Sequence, residues 1–403
     1  MSNLKRIKYL ISQKKFLEAR SIVTKLLLDD STNQELLLLL GGCYRSLGKI
    51  NEAKKTYFKI IQLDPTNTIS QRLIIDYLNK QELIQHRENL LNLNRFNLSD
   101  QKKIELFFAL GVINEKLGDY KNSSDYFTQA NDLKRKINPF NFNVLKKHFK
   151  DLLNIFSKIS FDSNNSNKQK KIIFIVGLPR SGTSLVEAIL GANDKIYNAG
   201  EIPNLKKIIR DEFITNGNLD IKKISQAIKI KDKKIYNNYI NLESLEHIVE
   251  KIITDKNTEN FKFLGIINIF FTNVKIVNCI RDPFENYCSL YKTNFNSNAL
   301  NWTNSKREIK LYANYYFKLI KFWKSKKINN IYDLSFEELL NKPDETINNL
   351  IKFCDLENNY KYKDFYKFKV SPIRTASANQ VRNPIKKENI HKYRKFKNYF
   401  DFI

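Results

Sequence analysis

Several residue types are scarce in this chain of 403 residues, and each shortage excludes something. Its four cysteines, Cys43, Cys279, Cys288 and Cys354, are scattered and lack the spacing of metal ligands. Cys43 and Cys279 sit in apolar runs and read as small core residues, and a reducing cytoplasm is the simplest compartment for such a set. No run of 18 apolar residues occurs, so no transmembrane segment is expected. Residues 1–8 lead into a lysine-broken stretch without the apolar core and small-residue cleavage site of a signal peptide. Glycine, proline and methionine are few, at 11, 8 and 1, while Lys, Asn and Ile abound, the pattern of AT-rich codons. The net charge of +27 is therefore read as coding bias and solvated surface, because the lysines form no single basic block. No nucleic-acid partner is expected, although a positive field would attract an anionic ligand.

What is present begins with a helical, repetitive first third. Lys14-Lys15-Phe16-Leu17-Glu18-Ala19 and Gly48-Lys49-Ile50-Asn51-Glu52-Ala53 lie 34 residues apart. Gly118-Asp119-Tyr120-Lys121-Asn122-Ser123 returns 70 residues later, and Val23, Tyr57 and Phe127 follow at matching offsets. That period, with Leu63-Asp64-Pro65 closing the second unit, is the tetratricopeptide signature. Each unit is a helix pair that buries its face against its neighbours and offers surface for protein contacts. Residues 70–94 match less well and read as a degenerate repeat. Residues 143–159 predict one more amphipathic helix, with Val144, Phe149, Leu152, Leu153 and Phe156 on one face. Residues 161–170 are polar and read as a linker. The expected division is 1–135 for the repeats, 136–170 for a connecting helix and linker, and 171–403 for a second domain. There, strand candidates at 172–176, 274–280 and 328–332 alternate with helical stretches, which predicts an α/β fold with a central parallel sheet.

The most informative stretch is Ile172-Ile173-Phe174-Ile175-Val176-Gly177-Leu178-Pro179-Arg180-Ser181-Gly182-Thr183-Ser184. It reads as a buried strand, a glycine-bounded loop and the first turn of a helix, which together aim backbone N–H groups and a helix dipole at one phosphate-sized spot. The glycines have the spacing of the nucleoside-triphosphate loop, but Thr183 stands where that loop has its lysine, and the loop supplies Arg180 instead. A second anion site follows the next strand. Arg281 sits at the strand tip, Asp282 and Pro283 open a helix, and Ser289 returns about two turns later to a similar face. An arginine and a hydroxyl so placed can hold a second phosphate.

In this order the motifs resemble the sulfotransferases that use 3'-phosphoadenosine 5'-phosphosulfate, and most of all the tetratricopeptide-containing bacterial sulfotransferases, whose catalytic domain is similar to tyrosylprotein sulfotransferases. The resemblance spans roughly residues 171–400. It implies the sulfotransferase fold, with residues 178–184 (Leu178, Pro179, Arg180, Ser181, Gly182, Thr183 and Ser184) around the 5'-phosphosulfate and Arg281 and Ser289 on the 3'-phosphate. It further implies Glu201, after Gly200, as general base, and Lys256, in Thr254-Asp255-Lys256, as a charge stabiliser beside Arg180. Ser377, in Thr375-Ala376-Ser377-Ala378-Asn379-Gln380-Val381-Arg382, would bond the nucleotide phosphate, and Lys392 would hold the cofactor. Phe336, in Ser335-Phe336-Glu337-Glu338-Leu339, stands where the family has a tyrosine near the adenine, keeping the ring and losing the hydroxyl. None of His86, His148, His247 and His391 falls in a matching catalytic motif, which favours Glu201 as the base.

The expected reaction is an in-line sulfuryl transfer to an acceptor hydroxyl without a metal. The acceptor is open between a peptide or protein tyrosine, a saccharide and a small hydroxyl compound. One alternative is a non-catalytic tetratricopeptide adaptor with a degenerate nucleotide domain. Another is a P-loop kinase or NTPase, which would need the missing lysine and a magnesium-holding acid.

Overall fold

Apolar residues three and four apart wind the first third of the chain into antiparallel helices. The computed structural model describes residues 3–13, 15–159, 169–230, 232–250, 252–326, 328, 330–357, 362–367 and 383–402. Helices α1 (Asn3–Ser12) and α2 (Phe16–Asp29) form the first pair, α3 (Gln34–Ser46) and α4 (Ile50–Leu63) the second. They are followed by α5 (Thr68–Ile74), α6 (Lys80–Leu93), α7 (Asp100–Leu117) and α8 (Tyr120–Ile137). The repeated positions Ala19, Ala53 and Ser123, and the larger Val23, Tyr57 and Phe127, are all fully buried. Tyr57 and Phe127 press on the bare Cα atoms of Gly41 and Gly111 in the preceding helix, where an added Cβ would lie 2.6 and 2.8 Å from the rings.

The weaker repeat has a visible cause. Helix α5 runs only seven residues before a 3₁₀ turn at Ile75–Tyr77, and the chain restarts in α6 with a capping box between Asn79 and Glu82. The expected amphipathic helix is α9 (Phe142–Ser157), which buries Phe149, Leu152, Ile155 and Phe156. Val144, expected on that face, is instead 65 % exposed. The inward stripe starts one residue later at Leu145, which places 145, 149, 152 and 156 at helical spacing.

A parallel sheet of five strands follows, in the order β2-β5-β1-β6-β7. Strand β1 (Lys171–Gly177) leads into α10 (Thr183–Leu190) and β2 (Ile196–Asn198). Helix α11 (Asn204–Phe213), a small hairpin of β3 (Ile214–Thr215) and β4 (Asn218–Leu219), and helices α12 (Ile221–Lys229) and α13 (Lys234–Asn241) precede β5 (Ile252–Asp255). Helix α14 (Leu264–Phe270), β6 (Val274–Ile280), α15 (Pro283–Tyr291), α16 (Lys306–Ser325), β7 (Ile331–Ser335), α17 (Phe336–Asn341) and α18 (Pro343–Phe353) complete the regular elements. Alternate residues of β1 serve opposite faces. Ile172, Phe174 and Val176 join a core that includes Phe127, Phe149 and Phe156 from the helical region, while Ile173 and Ile175 pack with Val277, Cys279 and Leu334. The helical repeats thus share one apolar core with the sheet.

The third expected strand begins at Ile331 rather than residue 328 and runs on to Ser335. Its polar Asp333 is accommodated because Asn278 Nδ2 donates to Asp333 Oδ1 at 2.9 Å and Lys324 pairs with the same carboxylate. The short β2 and the polar-ended β5 carry too little periodicity to stand out in the sequence. Among the described residues no helix is long and apolar enough to cross a membrane.

Candidate functional site

The strands converge at their C-terminal ends beside β1, the position where open parallel sheets bind ligands. The loop after β1 is tightly folded. Gly177 has φ +148°, and a Cβ there would lie 2.5 Å from the carbonyl oxygen of Cys279. Gly182 has φ +100°, and its Cβ would lie 2.6 Å from Phe336 Cδ2. Between them Arg180 adopts φ +70°, a left-handed conformation unusual for a branched-out side chain and typical of ligand-gripping loops. Gly182 then opens α10, whose first turn directs the positive end of the helix dipole toward the loop. Ser181, Thr183 and Ser184 are buried, as is Leu178.

Two arginines meet over this loop. Arg180 Nε donates to Ser289 Oγ at 3.1 Å, and Arg281 Nη1 donates to the Arg180 carbonyl at 3.2 Å. Arg180, Arg281 and Ser289, expected from separate motifs, are therefore in direct contact. Burial, together with the neighbouring Arg281 charge, holds the Arg180 guanidinium below its ordinary pKa, a penalty that a bound anion would relieve. Arg281 also lies over the Phe336 ring, 4.7 Å from its centre. Phe336 is thus a wall for the arginine and for Gly182.

Residues outside the sequence motifs fix this arrangement. Glu285 is buried and pairs with Arg281 at 3.5 Å. Asn286 Nδ2 donates to the Pro179 carbonyl at 3.0 Å. Both follow Asp282, whose side chain accepts from the Glu285 amide and caps α15. The i,i+4 spacing of Arg281 and Glu285 was the available sequence signal for this pair. A small crevice lined by Leu178, Ser181, Arg281, Asn286 and Tyr316 opens here. Ser181 Oγ, Arg281 Nε and Asn286 Oδ1 are buried in it without a hydrogen-bond partner among the described residues. Of these, the Ser181 hydroxyl and the Arg281 Nε–H are donors, and two such donors beside two guanidinium groups fit a ligand rich in phosphate oxygens, whereas the Asn286 oxygen is an acceptor and adds nothing to that fit.

A second cluster forms on the neighbouring strands. Lys256 leaves the end of β5 and its ammonium lies 2.5 Å from Glu201 Oε1. The Lys256 amide also donates to the Gly200 carbonyl at 2.9 Å. Glu187, on the far side of α10, accepts from the Gly200 amide at 2.9 Å and from Thr254 Oγ1 at 3.1 Å. The helix that starts at the loop after β1 therefore also pins the Gly200-Glu201 turn. Asp255, just before Lys256, is fully buried, accepts from Tyr239 Oη at 2.9 Å, and is pushed by burial up to about 7.

Residues 173–360 match the family model described as the sulfotransferase family, and residues 10–74 and 104–137 match tetratricopeptide-repeat models. The chain carries a sulfotransferase-family domain behind tetratricopeptide repeats. A curated relative, an uncharacterized protein of Aquifex aeolicus (strain VF5), is 27 % identical over 376 residues, covering 91 % of this chain and 48 % of the relative. The chain thus spans about half the length of the curated relative it matches. Among solved structures, the sulfotransferase domain from the Synechococcus PCC 7002 olefin synthase superposes with a TM-score of 0.41 at 14 % identity, covering 59 % of this chain and 91 % of that one. Sulfotransferase STF1 from Mycobacterium tuberculosis H37Rv gives a TM-score of 0.33 at 15 % identity, with coverages of 78 % and 98 %.

The part matched to the sulfotransferase family contains the loop, Glu201, Lys256, Arg281, Ser289 and Phe336, and ends before Ser377 and Lys392. Ser377 lies outside the described residues. Lys392 is exposed, whereas the adjacent Tyr393 is buried, with its amide donating to Glu285 at 3.1 Å.

Proposed function

We propose that the sulfotransferase-family domain moves a sulfuryl group from 3'-phosphoadenosine 5'-phosphosulfate to an acceptor hydroxyl. The observation that carries this reading is the convergence of Arg180, Arg281 and Ser289 on a phosphate-shaped loop, with the Glu201–Lys256 pair on the adjoining strand ends. In this reading residues 1–135 are repeats, 136–170 a connection and 171–403 the catalytic unit.

The loop amides and Arg180 hold the 5'-phosphosulfate, and Arg281 with Ser289 holds the 3'-phosphate. The donor supplies an activated sulfur whose leaving group is a phosphate. Glu201 takes the proton of the acceptor hydroxyl as that oxygen bonds to sulfur. Arg180, Lys256 and Ser377 stabilise the charge that collects on the bridging phosphate oxygen as its bond to sulfur breaks. Lys392 completes the nucleotide contacts. A peptide tyrosine is the favoured acceptor, because Gly200-Glu201 and Asp255-Lys256 resemble the tyrosylprotein enzymes, and the repeats offer a surface for such a protein partner. The described cysteines are buried free thiols, which suits a reducing cytoplasm.

Calorimetric titration with adenosine 3',5'-bisphosphate tests the nucleotide part. Binding that weakens about tenfold or more in Arg281→Ala supports it. Absence of binding to the wild-type chain favours a non-catalytic adaptor, and magnesium-dependent ATP binding favours a kinase or NTPase.

A further inference from the structure

The helical repeats reach the nucleotide site through a continuous series of contacts. Glu115 of α7 lies 2.5 Å from the ammonium of Lys292, the residue that ends α15, and Lys292 is itself only 6 % exposed. That ammonium sits over the Tyr393 ring, 4.0 Å from its centre, and 4.3 Å from the centre of the Phe396 ring. The Arg281 guanidinium also lies near Tyr393, 5.7 Å from the ring centre. The Tyr393 amide donates to both oxygens of Glu285 at 3.1 Å, and Glu285 holds Arg281. The ring is thus in reach of a cation tied to the repeats and of one facing the loop after β1, with the Lys392 ammonium a third at 5.8 Å.

The same end of α15 is anchored to the repeats a second time. Asn131 Nδ2 donates to the Tyr291 carbonyl at 2.8 Å. Lys134 Nζ donates to Asn294 Oδ1 at 2.6 Å and to the Phe295 carbonyl at 2.5 Å. Asn294 in turn donates to Glu105 Oε1 of α7 at 2.8 Å. A cation at the C-terminal end of a helix is favourably placed against its dipole. Helix α15 carries Ser289 and starts two residues after Arg281, so the repeats hold the helix that presents the second phosphate site.

We propose that Glu115 and Lys292, acting through Tyr393, are positioning residues for Arg281, so that the tetratricopeptide region helps set the preference for a 3'-phosphorylated nucleotide. Glu115 neutralises an ammonium that would otherwise be buried beside aromatic rings. Without it, Lys292 swings toward solvent, Tyr393 loses the nearest of its cation contacts, and the wall behind Arg281 loosens. The 5'-phosphate loop meets this series only at its far end, where Arg281 donates to the Arg180 carbonyl and Asn286 to the Pro179 carbonyl, while the loop's own supports, β1 and α10, lie outside it. The inference rests on the reading that Arg281 meets a 3'-phosphate.

The test compares the affinity of the full chain for adenosine 3',5'-bisphosphate with that for adenosine 5'-monophosphate. Wild type is expected to prefer the bisphosphate. Glu115→Gln and Lys292→Gln are expected to reduce that preference about tenfold, with a much smaller loss of monophosphate affinity transmitted through the Arg281 contact with the loop. Lys292→Arg, which keeps a cation for both Glu115 and the ring, is expected to restore it. A purely structural role would weaken both ligands alike, and that outcome overturns the proposal, as does an undiminished preference in both glutamine variants. Should Glu115→Gln fail to fold, the Lys292 variants read the same ratio. A wild-type chain without any preference would instead refute the underlying nucleotide reading.

Discussion

Lys256 Nζ lies 2.5 Å from Glu201 Oε1, with the lysine side chain 2 % exposed and the glutamate 55 % exposed. The cation is therefore fixed in the protein while the carboxylate stands at the open side, where an acceptor hydroxyl could approach. Both residues come from the ends of neighbouring strands, since β2 and β5 pair in register from Ile196 and Ile252.

The first prediction concerns this pair. Glu201→Gln keeps an oxygen near Lys256 but removes the carboxylate proposed as base, so turnover should fall by about 10²-fold to 10⁴-fold with bisphosphate affinity nearly unchanged. Lys256→Met should also lower turnover. Steady-state kinetics on an identified acceptor, with calorimetry alongside, separates chemistry from binding. Turnover near wild type in Glu201→Gln would remove Glu201 from the mechanism.

The second concerns the wall of the loop after β1. Gly182→Ala places a Cβ 2.6 Å from Phe336 Cδ2 at a backbone φ of +100°. Stability should drop by about 1–3 kcal/mol, and nucleotide binding should weaken as the ring is forced toward Arg281. Adding Phe336→Ala should recover the steric part and not the backbone part. Urea denaturation of the single and double variants checks this. Strict additivity of the two changes would contradict the contact.

Much of this loop could be read directly from residues 172–184, because the glycine spacing and the apolar strand before it leave little freedom for another geometry. Arg281 and Ser289 were legible for the same local reason: a strand tip followed by a capped, proline-started helix. Glu187 was not. It points from the back of α10 to Gly200 and Thr254, and only the tertiary pairing of β2 with β5 brings those groups together. Tyr393 was likewise hidden, since sequence order drew notice to Lys392 while the packing buries the neighbouring ring. In the helical region the repeat period was visible through Ala19, Ala53 and Tyr57, but the one-residue offset of the α9 stripe was not, because both 144 and 145 are apolar.

The third prediction is a pH dependence. Burial raises Asp255 from an ordinary 3.8 to about 7 in the folded chain. The native state therefore keeps its proton where the unfolded chain has already lost it. Asp255 favours folding fully below about pH 4, and its contribution declines as pH rises toward 7 and is gone above it. Asp255→Asn should flatten the stability profile across that window relative to wild type, as read by thermal unfolding between about pH 4 and 8. Parallel profiles for the two proteins would contradict the assignment.

The fourth concerns the bracket behind the Gly200-Glu201 turn. Glu187→Ala removes the partner of the Gly200 amide and leaves the Thr254 hydroxyl only Asn198 Oδ1 at 3.2 Å, which should cost about 1–3 kcal/mol of stability. Because the Gly200-Glu201 turn loses its anchor, turnover should fall more than nucleotide affinity does. Chemical denaturation and kinetics on the same preparation decide it; an equal loss of turnover and affinity would place Glu187 in nucleotide binding instead.

The most direct test of the sulfuryl-transfer reading is mass spectrometry of a cell lysate incubated with the protein and 3'-phosphoadenosine 5'-phosphosulfate, scored for new sulfate esters. New esters should appear with the wild-type chain and be absent or sharply reduced with Arg180→Ala. No new esters with wild type, or the same esters at the same yield with Arg180→Ala, would contradict it.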